Sequence, residues 1–129
     1  MWNDFYQYIL NEVADKKVKI AEVGIGKFTM IADELSKKEN IRVVKVDINP
    51  KDKSIIKDDI TNPNLGIYDG VSLIYSIRPP SELQPYLVSL AKKINSQLII
   101  KPLTNEDLNT GKVNMKLKNF KKANFYTLR

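Results

Sequence analysis

The stretch "AEVGIGKFTMIADEL", residues 21–35, constrains the fold more than any other part of the chain. A run rich in β-branched residues, "VKIAEV" (18–23), ends at Gly24 and Gly26, and a helix-forming run, 28–38, follows. A strand, a glycine turn and a helix in that order open a βαβ unit, and such units build parallel sheets. The chain keeps this rhythm. "IRVVKVD" (41–47) reads as a second strand, stopped by Asn49-Pro50, and "SIIKDD" (54–59) as a short third one. "TNPNLGIYDG" (61–70) is turn-rich. "VSLIYSI" (71–77) reads as a buried strand and "QLIIKP" (97–102) as the next. Between them "SELQPYLVSLAKKIN" (81–95) reads as a helix with Ser81 and Gln84 as a capping box. Upstream, Trp2, Phe5, Tyr6, Ile9 and Val13 form one stripe of a helix over 3–15, capped by Asn3 or Asp4 and closed by Lys16-Lys17. The tail, 113–129, alternates loosely and predicts a β-hairpin turning near Asn119 or Lys122.

These elements predict a single α/β domain over 1–129, with an N-terminal helix within 1–17 and a basic C-terminal hairpin within 112–129. The expected sheet has five parallel strands in the order 3-2-1-4-5, with the hairpin on the strand-5 side. Right-handed crossovers place helices on both faces. Two crossovers, Asp47 to Ser54 and Asp59 to Val71, are too short for a good helix. The helix layer is therefore reduced, and either loops or another subunit, as in a homo-oligomer, lie across part of one face.

The chain has no cysteine and no histidine. That removes disulfides, thiolate nucleophiles, imidazole bases and the usual zinc sites. Acid or base chemistry falls to Asp, Glu, Lys or Tyr, and no metal site is assigned, although an oxygen-only Mg²⁺ site is open to such a chain. No apolar run reaches membrane-spanning length, and "MWNDFYQY" lacks the basic start and apolar block of a secretion signal, so a cytoplasmic location is expected.

A turn between strand and helix with glycines at 24 and 26 is the right context for a nucleotide-contacting loop. It is also a turn that needs glycine for its backbone alone. The dinucleotide fingerprint asks for a third small residue where Thr29 stands, and the phosphate-binding loop asks for a Gly-Lys-Ser/Thr run that is absent. Glu22 ends an apolar strand, where a buried carboxylate needs a partner such as Lys27 or a backbone amide, unless a ligand supplies one. Asp47 ends the second strand, where an acid accepts hydrogen bonds from ribose hydroxyls. Asp59 closes the third, either as a ligand contact or as an ordinary turn residue. Carboxyl ends of parallel strands are where α/β folds bind ligands.

Glu22, Gly24 and Gly26 resemble the first motif of class I S-adenosylmethionine (SAM)-dependent methyltransferases, with Phe28 where that family often has a third glycine. The resemblance implies SAM as cofactor, Glu22 near its amino acid part, Asp47 on its ribose and Asp59 near its adenine amino group. It runs from about Val18 to Pro102. "YSIRPPSEL" (75–83) stands where amino-methyltransferases carry an Asp/Asn-Pro-Pro-aromatic motif. Here Arg78 precedes Pro79 and Pro80, and Ser81 replaces the aromatic. Arginine accepts no proton from an amine. Arg78 is instead suited to a phosphate or carboxylate of a ligand or acceptor, or else to solvent. More narrowly, "EVGIGKF" and "IYSIRPPSEL" resemble a small archaeal family of uncharacterised (UPF-type) proteins with a stripped-down methyltransferase-like Rossmann fold.

Three functions follow. Methyl transfer from SAM suits a chain without histidine, because it relies on positioning and desolvation. Most such enzymes carry extra segments that bind the acceptor. This chain has almost none, so the acceptor would be large or presented by a partner. The alternatives are a non-catalytic nucleotide- or RNA-binding module and a subunit of an assembly. RNA enters through the charge. Residues 1–111 carry 15 basic and 15 acidic groups, so the net +6 lies in the last 18 residues. There Lys112, Lys116, Lys118, Lys121, Lys122 and Arg129 interleave with Phe120, Phe125 and Tyr126. Lys116 and Lys118 would share one strand face and Met115 and Leu117 the other, which would pack on the sheet. Basic residues beside aromatics bind RNA by phosphate contact and stacking. A solvated hairpin whose aromatics are core is the favoured reading, because six charges make a modest patch.

Overall fold

A computed structural model of the chain describes residues 2–102 and 115–129. Helix α1 (Trp2–Val13) leads into strand β1 (Val18–Val23), helix α2 (Met30–Ser36), β2 (Ile41–Asp47) and β3 (Ile56–Lys57). Then come a 3₁₀ turn (Leu65–Tyr68), β4 (Val71–Ile77), α3 (Gln84–Ile94), β5 (Gln97–Lys101), β6 (Lys116–Phe120) and β7 (Ala123–Leu128). The seven strands form one sheet in the order β3-β2-β1-β4-β5-β7-β6. The first five are parallel, and β7 joins β5 antiparallel with β6 outside it. This is the expected parallel order with the hairpin on the β5 side.

Alternation along the strands splits the core in two. Ile20, Leu73, Tyr75, Ile77, Ile99 and Phe125 face α1 and α2, where Phe5, Ile9, Ile31 and Leu35 cover them. Ala21, Val23, Val46, Ile74, Leu98 and Ile100 face the other way, where α3 brings Leu87, Val88, Leu90 and Ala91. Tyr68, Ile60 and Ile67, all from the shortened crossover, complete that second layer. Loops therefore lie across the thin part of this face.

Several local expectations shift. Ala14 takes φ +52° and ends α1, so Lys16 and Lys17 lie beyond its last turn. Asp4 sits in the first turn of α1, inside the helix rather than before it. Its Oδ2 accepts the Lys122 N–H at 3.1 Å and pins the hairpin turn to the helix. Helix α2 starts at Met30 rather than 28, because Gly24 and Gly26 both take positive φ and lengthen the turn. The third strand shrinks to two residues, since Ile55 turns into the core with Ile25 and Ala32. Ser81 lies inside a 3₁₀ turn whose N-cap is Pro80, and Gln84 donates to the Pro79 carbonyl at 3.4 Å.

The hairpin differs most. Lys116 pairs with Thr127, Lys118 with Phe125 and Phe120 with Ala123. The lysines thus share the α1 face with Phe125, and Leu117 on the other side is 55% exposed. Phe120, at the end of β6, still packs on the α1-side core with its ring 5.7 Å from that of Tyr8, and Met115, just before β6, packs on the other layer, but the rest of β6 is exposed because it is the outer strand.

Candidate functional site

The turn after β1 is built by its neighbours. Gly24 N–H and Ile25 N–H donate to the Val46 carbonyl at 2.8 and 3.2 Å, and Gly26 N–H donates to Asp47 Oδ2 at 2.8 Å. Gly24 has φ +72° and Gly26 φ +58°, a region L-residues enter at a cost of roughly 1–2 kcal/mol. A β-carbon at Gly24 would meet Ser76 Oγ only at 3.9 Å, and at Gly26 nothing within 4 Å. The glycines are required by the backbone, not by crowding.

A cavity of about 250 Å³ opens at the carboxyl ends of β1, β2 and β4. Asp47, Asp58 and Asp59 lie on one side of its lining, Arg78, Pro79 and Pro80 on another, with Ile48, Ile60, Leu83 and Leu87 as apolar wall. Gly24 and Ser76 also line it, and Ser76 Oγ donates to the Val23 carbonyl at 2.8 Å. The volume falls just under the 300–1,000 Å³ or so of common ligand pockets.

Asp47 is held from both sides, since its Oδ1 accepts the Asn49 N–H at 2.8 Å. Two backbone N–H groups thus fix the carboxylate of Asp47, which lies in the cavity lining. Asp59 Oδ1 accepts both the N–H and the hydroxyl of Thr61, at 2.9 and 2.7 Å. These bonds, the hydroxyl's first, hold the Asp59 carboxyl below the usual carboxylate range. Asp58 Oδ1 accepts the Asn64 N–H at 3.1 Å, and Tyr68 Oη donates to its Oδ2 at 3.4 Å. Two ordinary turn geometries thus present two acids at the cavity rim.

Glu22 and Gly26 do not line the cavity. Glu22 is 1% exposed and faces α1 and α2. Its partner is neither Lys27 nor an amide: Tyr75 Oη donates to Glu22 Oε1 at 2.6 Å. Among the described residues Oε2 has no hydrogen-bond partner. Burial pushes the Glu22 carboxyl up to about 8, against the Tyr75 bond, with Asp33 raising it further and Lys45 lowering it. Lys45 stands beside Glu22 in register, yet its ammonium donates to Ser54 Oγ at 2.6 Å.

Phe28, at the place of a third glycine, stays out of the cavity. Its ring lies 4.6 Å from that of Trp2 and packs on the α1-side core. Arg78 has φ +55°, and its guanidinium lies over both rings. In the tail, Phe125 is fully buried against Phe5 and Tyr8, so it is unavailable for stacking. Lys116, Lys118, Lys121 and Lys122 are exposed, and the Lys121 ammonium lies 5.5 Å from the Phe120 ring centre. Lys112 lies outside the described residues. Among the described residues no cluster of three acids is arranged to hold a metal, and no helix is long and apolar enough to cross a membrane. Sequence reasoning passed over Tyr75, Asp58 as a lining residue, Ser76 and Lys101. Only the strand alternation of "VSLIYSI" hinted that Tyr75 shares a face with Glu22.

A parallel 3-2-1-4-5 sheet with a glycine turn and a strand-end cavity defines a Rossmann-like domain of the class I methyltransferase type. Solved structures agree on the fold. An S-adenosyl-L-methionine methyltransferase from Silicibacter pomeroyi DSS-3 superposes with a TM-score of 0.65 at 9% identity, covering 99% of this chain and 91% of its own. The antibiotic-resistance methyltransferase Kmr gives 0.57 at 9% identity, covering 95% and 91%. The chain belongs to the uncharacterised protein family UPF0146, whose profile matches residues 2–129. A UPF0146 protein of the archaeon Methanothermobacter thermautotrophicus is 42% identical over 126 residues, 98% of this chain and 93% of that one. One from Methanocaldococcus jannaschii is 47% identical over 116 residues, 84% of this chain and 81% of that one.

Proposed function

We propose that the cavity binds SAM through its adenosine part and that the protein is a SAM-dependent methyltransferase. One observation carries this reading. The turn after β1 and the acids ending β2 and following β3 converge on a single, largely apolar cavity at the carboxyl edge of the sheet. In this reading Asp47 accepts hydrogen bonds from the ribose hydroxyls. Asp59, whose Oδ2 makes no hydrogen bond among the described residues, takes the adenine amino group. Ile48, Ile60, Leu83 and Leu87 exclude water around the base. SAM, when bound, supplies an electrophilic methyl group. The chain's own residues bind, orient and desolvate, which is what a methyl transfer asks of a protein without histidine.

Arg78 favours a second reading, a non-catalytic adenosine-binding module. It is a donor only, so it accepts nothing from an amine acceptor on its side of the cavity. Calorimetric titration with SAM, S-adenosylhomocysteine (SAH), NAD and ATP separates the cases. Saturable binding of SAM and SAH in preference to NAD and ATP is expected. Absence of binding by all four sinks both readings. Binding without methyl release from labelled SAM on any offered acceptor favours the module.

A further inference from the structure

The carboxyl ends of β4 and β5 bring two cations together, with no ion pair to either among the described residues. Arg78 follows β4, and its guanidinium carbon lies 5.4 Å from the Trp2 ring centre and 5.5 Å from that of Phe28. The two rings touch each other, so they form one shelf that holds the guanidinium while the side chain stays exposed. The backbone is fixed as well, because Arg78 N–H donates to the Lys101 carbonyl at 2.6 Å. Lys101 ends β5 in register with Ile77. Alternation places it on the side of Ile99, the face that α1 and its Trp2 cover.

Lys101 is only 8% exposed. Burial first, and the Arg78 charge second, hold its ammonium below the ordinary lysine range. Neither cation forms an ion pair among the described residues. Desolvation and like-charge repulsion both oppose this arrangement. An oxyanion seated against both side chains relieves both penalties. The planar fork of an arginine held on an aromatic shelf is suited to the two oxygens of a carboxylate or phosphate.

We propose that Arg78 and Lys101 form an oxyanion site beside the cavity, taking a carboxylate or a phosphate of the bound ligands. The inference rests on the SAM reading only for where the rest of a ligand lies. The oxyanion comes from one of two sources, the carboxylate of the cofactor's amino acid part or a phosphate on the acceptor.

A ¹⁵N NMR titration of the full chain with inorganic phosphate and with acetate reads the site directly. Saturable shifts of the Arg78 Nε–Hε and Lys101 amide signals are expected. The Lys101 shift should vanish in Arg78→Gln, and the Arg78 shift should weaken in Lys101→Met. No saturable shift, or the same shift in Arg78→Gln, overturns the proposal. Amide dispersion identical to wild type shows that each variant is folded. Calorimetry with adenosine and SAH then separates the sources. SAH binding at least tenfold tighter than adenosine, with the gain lost in Arg78→Gln, assigns the site to the cofactor carboxylate. A gain kept in Arg78→Gln, alongside phosphate shifts in wild type, assigns it to an acceptor phosphate. Phosphate shifts at Arg78 with no binding of adenosine or SAH retain the oxyanion site and reject the SAM reading.

Discussion

The Tyr75 hydroxyl donates a 2.6 Å hydrogen bond to the Glu22 carboxylate across β1 and β4, inside the core and away from the cavity wall. The bond partners one oxygen of a group that would otherwise be buried alone. Burial still dominates, so the folded protein holds the Glu22 proton to about pH 8, whereas an ordinary glutamate releases it near 4.5.

The sign of the pH dependence follows. Between those two values the folded state binds more protons than the unfolded one, so rising pH favours unfolding. The slope from this group approaches about 1.4 kcal/mol per pH unit, and it is flat below and above the window. Urea unfolding from pH 4 to 9 should show the loss, and Glu22→Gln should remove most of it. A Glu22→Gln curve parallel to wild type across that range would show that Glu22 is not the titrating group.

Asp47 should matter to binding more than its exposure indicates. Its carboxylate, in the cavity lining, is locked by Gly26 N–H and Asn49 N–H. Asp47→Ala should weaken SAH binding by about 1.5–3 kcal/mol, the range for a hydrogen bond to a charged group. Calorimetry checks this, and unchanged affinity removes Asp47 from the site.

Gly24 and Gly26 should respond to backbone preference rather than to bulk. Alanine at either position should cost roughly 1–2 kcal/mol of stability. Asparagine, larger but more tolerant of positive φ, should cost less than alanine. Denaturant midpoints of the four variants decide it. A greater loss for asparagine would mean that space, not φ, is limiting.

The hairpin divides into a structural strand and a solvated one. Phe125→Ala should cost about 3–5 kcal/mol, as for other buried phenylalanines. Replacing Lys116, Lys118, Lys121 and Lys122 with glutamine should leave stability within about 0.5 kcal/mol, since all four side chains are exposed. Thermal unfolding measures both. Anisotropy with single-stranded RNA at low salt, wild type against the glutamine variant, tests whether those lysines meet phosphate. Any affinity that depends on them must fall steeply with salt.

The sequence by itself determined the order of elements, the parallel 3-2-1-4-5 sheet and the hairpin beyond β5. Those features follow from local periodicity and from the handedness of βαβ crossovers, both readable within short windows. It also brought the glycine turn and Asp47 to one edge, because strand ends in a parallel sheet share an edge. Only the tertiary structure decided who meets whom across that edge. Glu22 and Tyr75 are 53 residues apart, and their pairing depends on the register of β1 against β4. Trp2, Phe28, Arg78 and Lys101 come from four separate elements, and α1 must dock on the sheet before they meet. The lysines of β6 share the α1 face because β7, not β6, joined β5, a choice of partner that no local pattern encodes. Register and docking are long-range packing outcomes, set by which apolar faces bury each other best rather than by any residue's neighbours in the chain.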